Sequence, residues 1–175
     1  LPNADRLWNA SKYEAKLENL SKVIATGVDM LPTLVALCEV ENEMVVKDLV
    51  NTNNLKPGNY DYVHYDSPDE RGIDVALLYN KKDFKVKSSK AIAVTLPGEK
   101  QDFTRDILMV NGEILINGKK EQLFVFVNHW PSRSEGEEVS APKRAAAATK
   151  LKEVVDSLNA KLDNPNIVIM GDFND

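Results

Sequence analysis

The chain closes on I-V-I-M-G-D-F-N-D, in which an apolar strand from Ile167 to Met170 delivers Asp172 and Asn174 at its mouth. Two other apolar runs end in the same manner: L-V-A-L-C leads into Glu39, and L-F-V-F-V-N leads into His129. Polar and charged groups just outside the carboxyl ends of strands are where α/β proteins usually meet their ligands. A carboxylate, an imidazole and an Asp-x-Asn pair, each carried by its own strand, are the parts from which metal-assisted phosphoester hydrolysis is built. Each is ordinary alone. Glu39 reads equally as an exposed strand-end acid, and G-D-x-N as turn chemistry. It is their joint occurrence that points to a site.

The elements that would position these residues follow from local patterning. Ser11 followed by Glu14 has the form of a capping box, and Tyr13, Leu17, Leu20 and Ile24 recur at helical spacing until Gly27. Leu34 to Cys38 reads as a buried strand, and Glu43 to Val50 as a short helix entered by Glu41 and Asn42 in capping positions. Tyr60 to Tyr65 and Ile73 to Tyr79 form a β pair joined by the polar turn S-P-D-E-R-G. Phe84 to Val94 alternates loosely, and Asn117-Gly118 offers a type I′ turn between Ile107 to Ile116 and Leu123 to Val127. From Ser140 the series Arg144, Ala148, Leu151, Val155, Leu158 and Leu162 predicts the longest helix, ended by Asn164-Pro165. Helix, strand, helix, antiparallel strands, helix, strand predicts stacked sheets with helices outside.

Bulk composition sets the frame. At 175 residues, with 28% charged and 43% hydrophobic side chains, the chain matches an ordinary globular domain, and one domain over residues 1–175 is the expectation. A net charge of −5 argues against a uniformly basic nucleic-acid coat. The single Cys38 cannot close an intramolecular disulfide and reads as a buried, unreactive thiol. No apolar run approaches membrane-spanning length, and Leu1 rather than Met opens the chain, which leaves an exported protein with its leader removed open.

Five segments together carry a family resemblance: L-V-A-L-C-E-V-E-N around Glu39, R-G-I-D-V-A-L-L-Y from Arg71, F-T-R-D-I-L from Phe103, V-F-V-N-H-W-P-S-R around His129, and I-M-G-D-F-N from Ile169. In this order they resemble the endonuclease/exonuclease/phosphatase family, whose familiar member is pancreatic deoxyribonuclease. The resemblance implies an α/β fold: a four-layered sandwich of two packed mixed sheets flanked by helices, with the site at one rim. It implies hydrolysis of a phosphoester by water, supported by Mg²⁺ or Mn²⁺. Glu39 matches the metal-binding glutamate; a hard cation of this kind is satisfied by one carboxylate plus water and phosphate oxygens. Asp172 is assigned to water and Asn174 to a phosphoryl oxygen. His129 is assigned to the phosphate as an imidazolium, its bland alternative being a buried neutral histidine. Arg105 is assigned to the scissile phosphate, its alternative being a surface ion pair.

Four other residues carry weaker expectations. His64 is assigned to structure. Asp66 falls near a carboxylate that orients the histidine in some relatives, and Arg71 and Arg133 either line the rim or are merely solvated. The expected partner is a phosphoester substrate, a nucleic acid or a small phosphorylated molecule, met by a monomer. The acidic loop R-S-E-G-E-E, from Arg133 to Glu138, would repel a long polyanion if it borders the groove, which favours small phosphoesters. The family pattern also begins with an Asn-bearing strand and continues past G-D-x-N to a further Asp and a late Asp-His pair. This sequence contains neither, so it reads as a piece of that fold, and a non-catalytic binding module or inactive piece is the alternative to an enzyme.

Overall fold

The structure, a computed structural model, describes residues 8–27, 29–98 and 104–175. Its elements run α1 (Ala10–Thr26), β1 (Leu34–Val40), α2 (Glu43–Val50), β2 (Tyr60–His64), β3 (Asp74–Asn80), β4 (Phe84–Ile92), β5 (Ile107–Ile116), β6 (Lys119–His129), α3 (Glu137–Lys161) and β7 (Asn166–Asp172). The expected order of helices and strands is the observed one. Phe103, at the head of F-T-R-D-I-L, lies outside the described residues.

The local signals are realised with small shifts. Asn9, not Ser11, caps α1: its side chain accepts the Lys12 N–H at 3.0 Å, placing the first turn two residues earlier than the capping-box reading. Asn42 caps α2 as expected, accepting from the Val45 N–H at 3.2 Å. Asn117 and Gly118 both take positive φ, 50° and 77°, and Ile116 pairs with Lys119 across them, as a two-residue type I′ hairpin requires. α3 begins at Glu137, before the predicted start, and carries Pro142 within its second turn. There Ala147 rather than Ala148 is buried, with Leu151 beside it.

β1, β3 and β2 form a three-stranded sheet in that order, antiparallel throughout, and β4-β5-β6-β7 form a four-stranded sheet in which β6 and β7 run parallel. Of the two sheets, only the second is mixed. The strand period of two then sorts side chains into three cores. Val75 and Leu77 of β3 meet Leu108, Val110, Leu123, Val125 and Val127 between the sheets. Ala76 and Leu78 point the other way, onto Val46 and Leu49 of α2 and the Leu17, Leu20, Ile24 stripe of α1. Phe124 and Phe126 of β6 point away from the sandwich onto Ala147 and Leu151 of α3. The layers are therefore helix, sheet, sheet, helix. Near-continuous apolar runs in β3 and β6 follow from burial on both faces.

No helix among the described residues is long and apolar enough to cross a membrane. Pairing directions gather the carboxyl ends of β1 and β2 with the start of β3 in one sheet and those of β6 and β7 with the start of β5 in the other, and the Cys38–Asn128 contact brings the ends of β1 and β6 to one rim.

Candidate active site

Glu39 reaches the rim through an irregularity. The β1–β3 register runs from Cys38↔Val75 directly to Val40↔Asp74, so Glu39 is a bulge residue without a partner, and its φ of 58° is left-handed. Bulges re-aim a side chain. The Glu39 carboxylate stands 63% exposed, 3.7 Å from the Arg71 guanidinium.

His129 and Asp172 are neighbours by register, the last pair of the parallel β6–β7 ladder. Their backbone is tightly fixed. Gly171 has φ 131°, and a Cβ there would stand 2.0 Å from the Asn128 carbonyl oxygen, so only glycine lets β7 lie this close to β6. Beyond the ladder the Trp130 N–H donates to the Asp172 carbonyl at 2.9 Å, and the Asp172 Oδ1 accepts the Asn174 N–H at 2.9 Å. Asn174 itself takes a left-handed φ of 53°, which asparagine tolerates. Its Nδ2 donates to the Trp130 carbonyl at 2.9 Å, using one of the two amide N–H groups.

His129 is 6% exposed, and its Nδ1 is buried without a hydrogen-bond partner among the described residues. Burial, followed by the positive charge of Arg105, holds the imidazole below its ordinary pKa, while Asp172 and Glu39 oppose the shift and Arg71 adds to it. The neutral ring is favoured over the expected imidazolium, because desolvation and two nearby guanidinium groups outweigh two exposed carboxylates. The ring is nonetheless not the satisfied core histidine of the alternative reading. A buried ring nitrogen left unpaired is unusual and marks a place for a ligand atom or water.

Arg105 turns inward. It is 7% exposed; Nη1 donates to the Asp69 carboxylate at 2.9 Å, Nε to the His129 carbonyl at 3.1 Å and Nη2 to the Trp130 carbonyl at 2.6 Å. It is thus a buried brace for the end of β6 rather than half of a surface ion pair. Asp69, 8% exposed, escaped the sequence reading, because S-P-D-E-R-G has the composition of any polar turn. Its carboxylate holds Arg105, accepts the Arg71 N–H at 3.0 Å and lies 3.6 Å from the Arg71 Nε. The signal available was the Asp-x-Arg spacing at the mouth of a strand.

Arg133 also has a defined task. Its Nε donates to the Asn174 carbonyl at 2.9 Å and its Nη2 lies 3.2 Å from the Asp175 carboxylate. Arg144, 4% exposed, meets Ser140 at 2.8 Å and Glu137 at 2.6 Å, with Asp175 at 3.8 Å. The first turns of α3 and the loop before it therefore grip the G-D-F-N-D segment. Cys38, whose thiol is pushed up chiefly by burial, donates to the Asn128 carbonyl at 3.4 Å, in line with an unreactive thiol.

A second histidine sits at the same rim. His64 Nε2 lies 3.0 Å from the Asp74 Oδ2, and Ser67 donates to the Asp74 Oδ1 from its N–H at 2.8 Å and its hydroxyl at 2.6 Å. Asp66 joins this group, with its ligand atoms and those of His64 and Asp74 within 4.8 Å of one another. The charges acting on His129 are those of Arg105, Asp172, Glu39 and Arg71, so Asp66 belongs to the neighbourhood of His64 and not to that of His129.

A family model described as Endonuclease/Exonuclease/phosphatase family matches residues 1–175. The chain belongs to that family. No curated protein matches the sequence. Among solved structures, the fold of this family member is similar to TDP2 from C. elegans, at TM-score 0.67 and 20% identity over 98% of this chain and 46% of that one. It is likewise similar to the human Nocturnin catalytic domain with bound sulfate anion, at TM-score 0.66 and 19% identity over 94% of this chain and 57% of that one. A mannosyl-6-phosphatase from Bacteroides thetaiotaomicron matches at TM-score 0.63 and 17% identity, over 95% of this chain and 61% of that one. This family member spans about half to three fifths of the length of these structures.

Proposed function

We propose that residues 1–175 form one domain carrying the catalytic rim of a divalent-metal-dependent phosphoester hydrolase in which water attacks phosphorus. The observation that carries this reading is the convergence of Glu39, His129 and Asp172 at one rim, from three different strands, beside two arginines and around an unpaired buried imidazole nitrogen. The donor set suits Mg²⁺ or Mn²⁺. Glu39 offers hard oxygen on an exposed, outward-aimed side chain, with the Asp172 carboxylate nearby, and such ions complete their shells with water and substrate oxygens. Glu39 is the residue that would hold the metal, which when bound neutralises charge on the phosphoryl oxygens.

The chain's own residues supply the rest. Asp172 orients water and takes its proton as the oxygen bonds to phosphorus and the bond from phosphorus to the leaving oxygen breaks, that oxygen taking a proton from solvent. The Asn174 amide, held by its bond to Trp130, has one N–H left for a phosphoryl oxygen. His129 contributes the unpaired Nδ1 at the end of β6, and Arg105 keeps that strand end in place while adding positive potential. Relatives of similar fold differ in what they act on. A D. rerio TDP2 is known as a complex with single strand DNA product, and the Bacteroides thetaiotaomicron protein is a mannosyl-6-phosphatase. For this chain both a nucleic acid and a small phosphorylated molecule are substrate classes to test.

The test is hydrolysis of an activated phosphodiester and of p-nitrophenyl phosphate by the full-length protein, with Mg²⁺, with Mn²⁺ and with chelator. Turnover that requires the metal and collapses in Glu39→Gln is expected. Equal rates with metal and with chelator would sink the metal role.

A further inference from the structure

Beside the rim lies an open cleft of about 390 Å³, a size within the usual range for small-molecule sites. It shares Arg71 and Arg105 with the candidate active site, since Arg71 reaches Glu39 at 3.7 Å and Arg105 bonds the carbonyl of His129. Through these two arginines the cleft adjoins the position between Glu39 and His129.

The cleft's chemistry is unusual for a phosphate-handling protein. Three cations, Arg71, Arg105 and Lys143, are matched by three carboxylates, Asp69, Glu70 and Glu135, among the described lining residues. The three cations are paired with two of these carboxylates: Arg105 with Asp69 at 2.9 Å, Lys143 with Glu135 at 2.8 Å, and Arg71 with Asp69 at 3.6 Å. A second phosphate would have to compete with carboxylates already in place. Between the pairs stand the hydroxyls of Thr104, Ser132 and Ser134, and small apolar surface comes from Leu96 and Pro131.

We propose that this cleft is the leaving-group subsite and that it takes an uncharged, hydroxyl-rich group, so that the substrate is the phosphate monoester of a sugar or polyol. The inference rests on the phosphoesterase reading above and specifies its substrate. Paired carboxylates and guanidinium groups accept from and donate to hydroxyls in both directions, while Leu96 and Pro131 cover carbon–hydrogen faces. An extended nucleic-acid strand fits poorly. No aromatic ring is among the described lining residues to stack on a base, and Trp130 and Phe173 at the rim pack edge to face on each other with centroids 4.9 Å apart. The acidic loop borders this cleft through Ser134 and Glu135, with Glu135 paired to Lys143.

The test compares kcat and KM of the full-length protein for a hexose 6-phosphate, for p-nitrophenyl phosphate and for a single-stranded oligodeoxynucleotide. It is repeated in Ser134→Ala and Glu135→Ala, both on an exposed loop. The wild type is expected to favour the hexose phosphate over the oligonucleotide by at least about tenfold. Each substitution should raise KM for the hexose phosphate roughly two- to tenfold, the worth of one hydrogen bond, leaving its kcat and the kinetics on p-nitrophenyl phosphate unchanged. Preference for the oligonucleotide would overturn the subsite, as would no change in either variant or an equal change on p-nitrophenyl phosphate. Silence on all three wild-type substrates would instead overturn the phosphoesterase reading itself, and the subsite with it.

Discussion

Two histidines stand at one rim of this sandwich, and their surroundings differ in one respect that separates structure from chemistry. His64, at the end of β2, is bonded to Asp74, whose two carboxylate oxygens are both in use, one by the ring and one by Ser67. His129, at the end of β6, is buried but has an Nδ1 without a partner among the described residues and a neighbouring carboxylate, Asp172, open to solvent. The first arrangement is closed at Asp74, where both buried carboxylate oxygens have donors, which is what folding alone demands of buried polar groups. The second is incomplete, and incompleteness is what a ligand site requires. Residue type and position do not distinguish the two; hydrogen-bond completeness does.

The largest expected effect tests the open side. His129→Ala should lower the kcat of the folded fraction by about 10²- to 10⁴-fold, the range for a side chain that handles charge or protons at the reacting centre, and should also lower the melting temperature through the cavity left by a buried ring. A variant that kept wild-type turnover would place His129 with His64 as a structural residue.

Next comes the brace between the two sides. Arg105→Met leaves the buried Asp69 with only its contacts to the exposed Arg71, and removing one member of a buried ion pair costs about 3–5 kcal/mol. Chemical denaturation of wild type and variant measures this. A loss within about 0.5 kcal/mol, the range of ordinary surface substitutions, would show that the pair is not what fixes the end of β6.

His64→Ala tests the closed side. It strips Asp74 of one donor and should cost about 1–3 kcal/mol of stability, while the folded fraction keeps its kcat. Loss of activity at full stability would invert the comparison and make the His64, Asp66 and Asp74 group functional.

The smallest effect is in pH. The imidazole of His129 is held below its ordinary value of 6.5, mainly by burial. As pH falls below that value the unfolded chain takes up a proton that the folded chain refuses, so the stability contributed by this group is present above pH 6.5 and is lost toward the lower folded pKa. Melting temperatures between pH 7.5 and 5 should therefore fall less steeply in His129→Asn than in the wild type. Parallel curves would show that the group titrates alike in both states.

Much of the fold was legible because its causes are local. Asn117-Gly118 prescribes its turn whatever surrounds it, and the helical stripe of Leu17, Leu20 and Ile24 needs only an apolar surface to lie on. The reading differed where two local answers were nearly equal: Asn9 and Ser11 are both good caps, and it is the Asn9 side chain that accepts the Lys12 N–H. Burial partners were less legible. Asp69 and Arg105 are separated by 36 positions, and nothing within either segment announces the other.

The sequence by itself determined the alternation of elements, the period-two sorting that builds four layers, and the residue types waiting at the strand mouths. Those follow from propensity, hydrophobic period and turn chemistry, which act over a few residues. Only the tertiary structure decided that Glu39 leaves its ladder through a bulge, that Arg105 turns inward, and that one rim histidine is bonded to a carboxylate while the other has a buried nitrogen without a partner among the described residues. Each of these depends on which distant group fills a hydrogen bond once water has been excluded, and that is settled only when the two sheets and their helices come together.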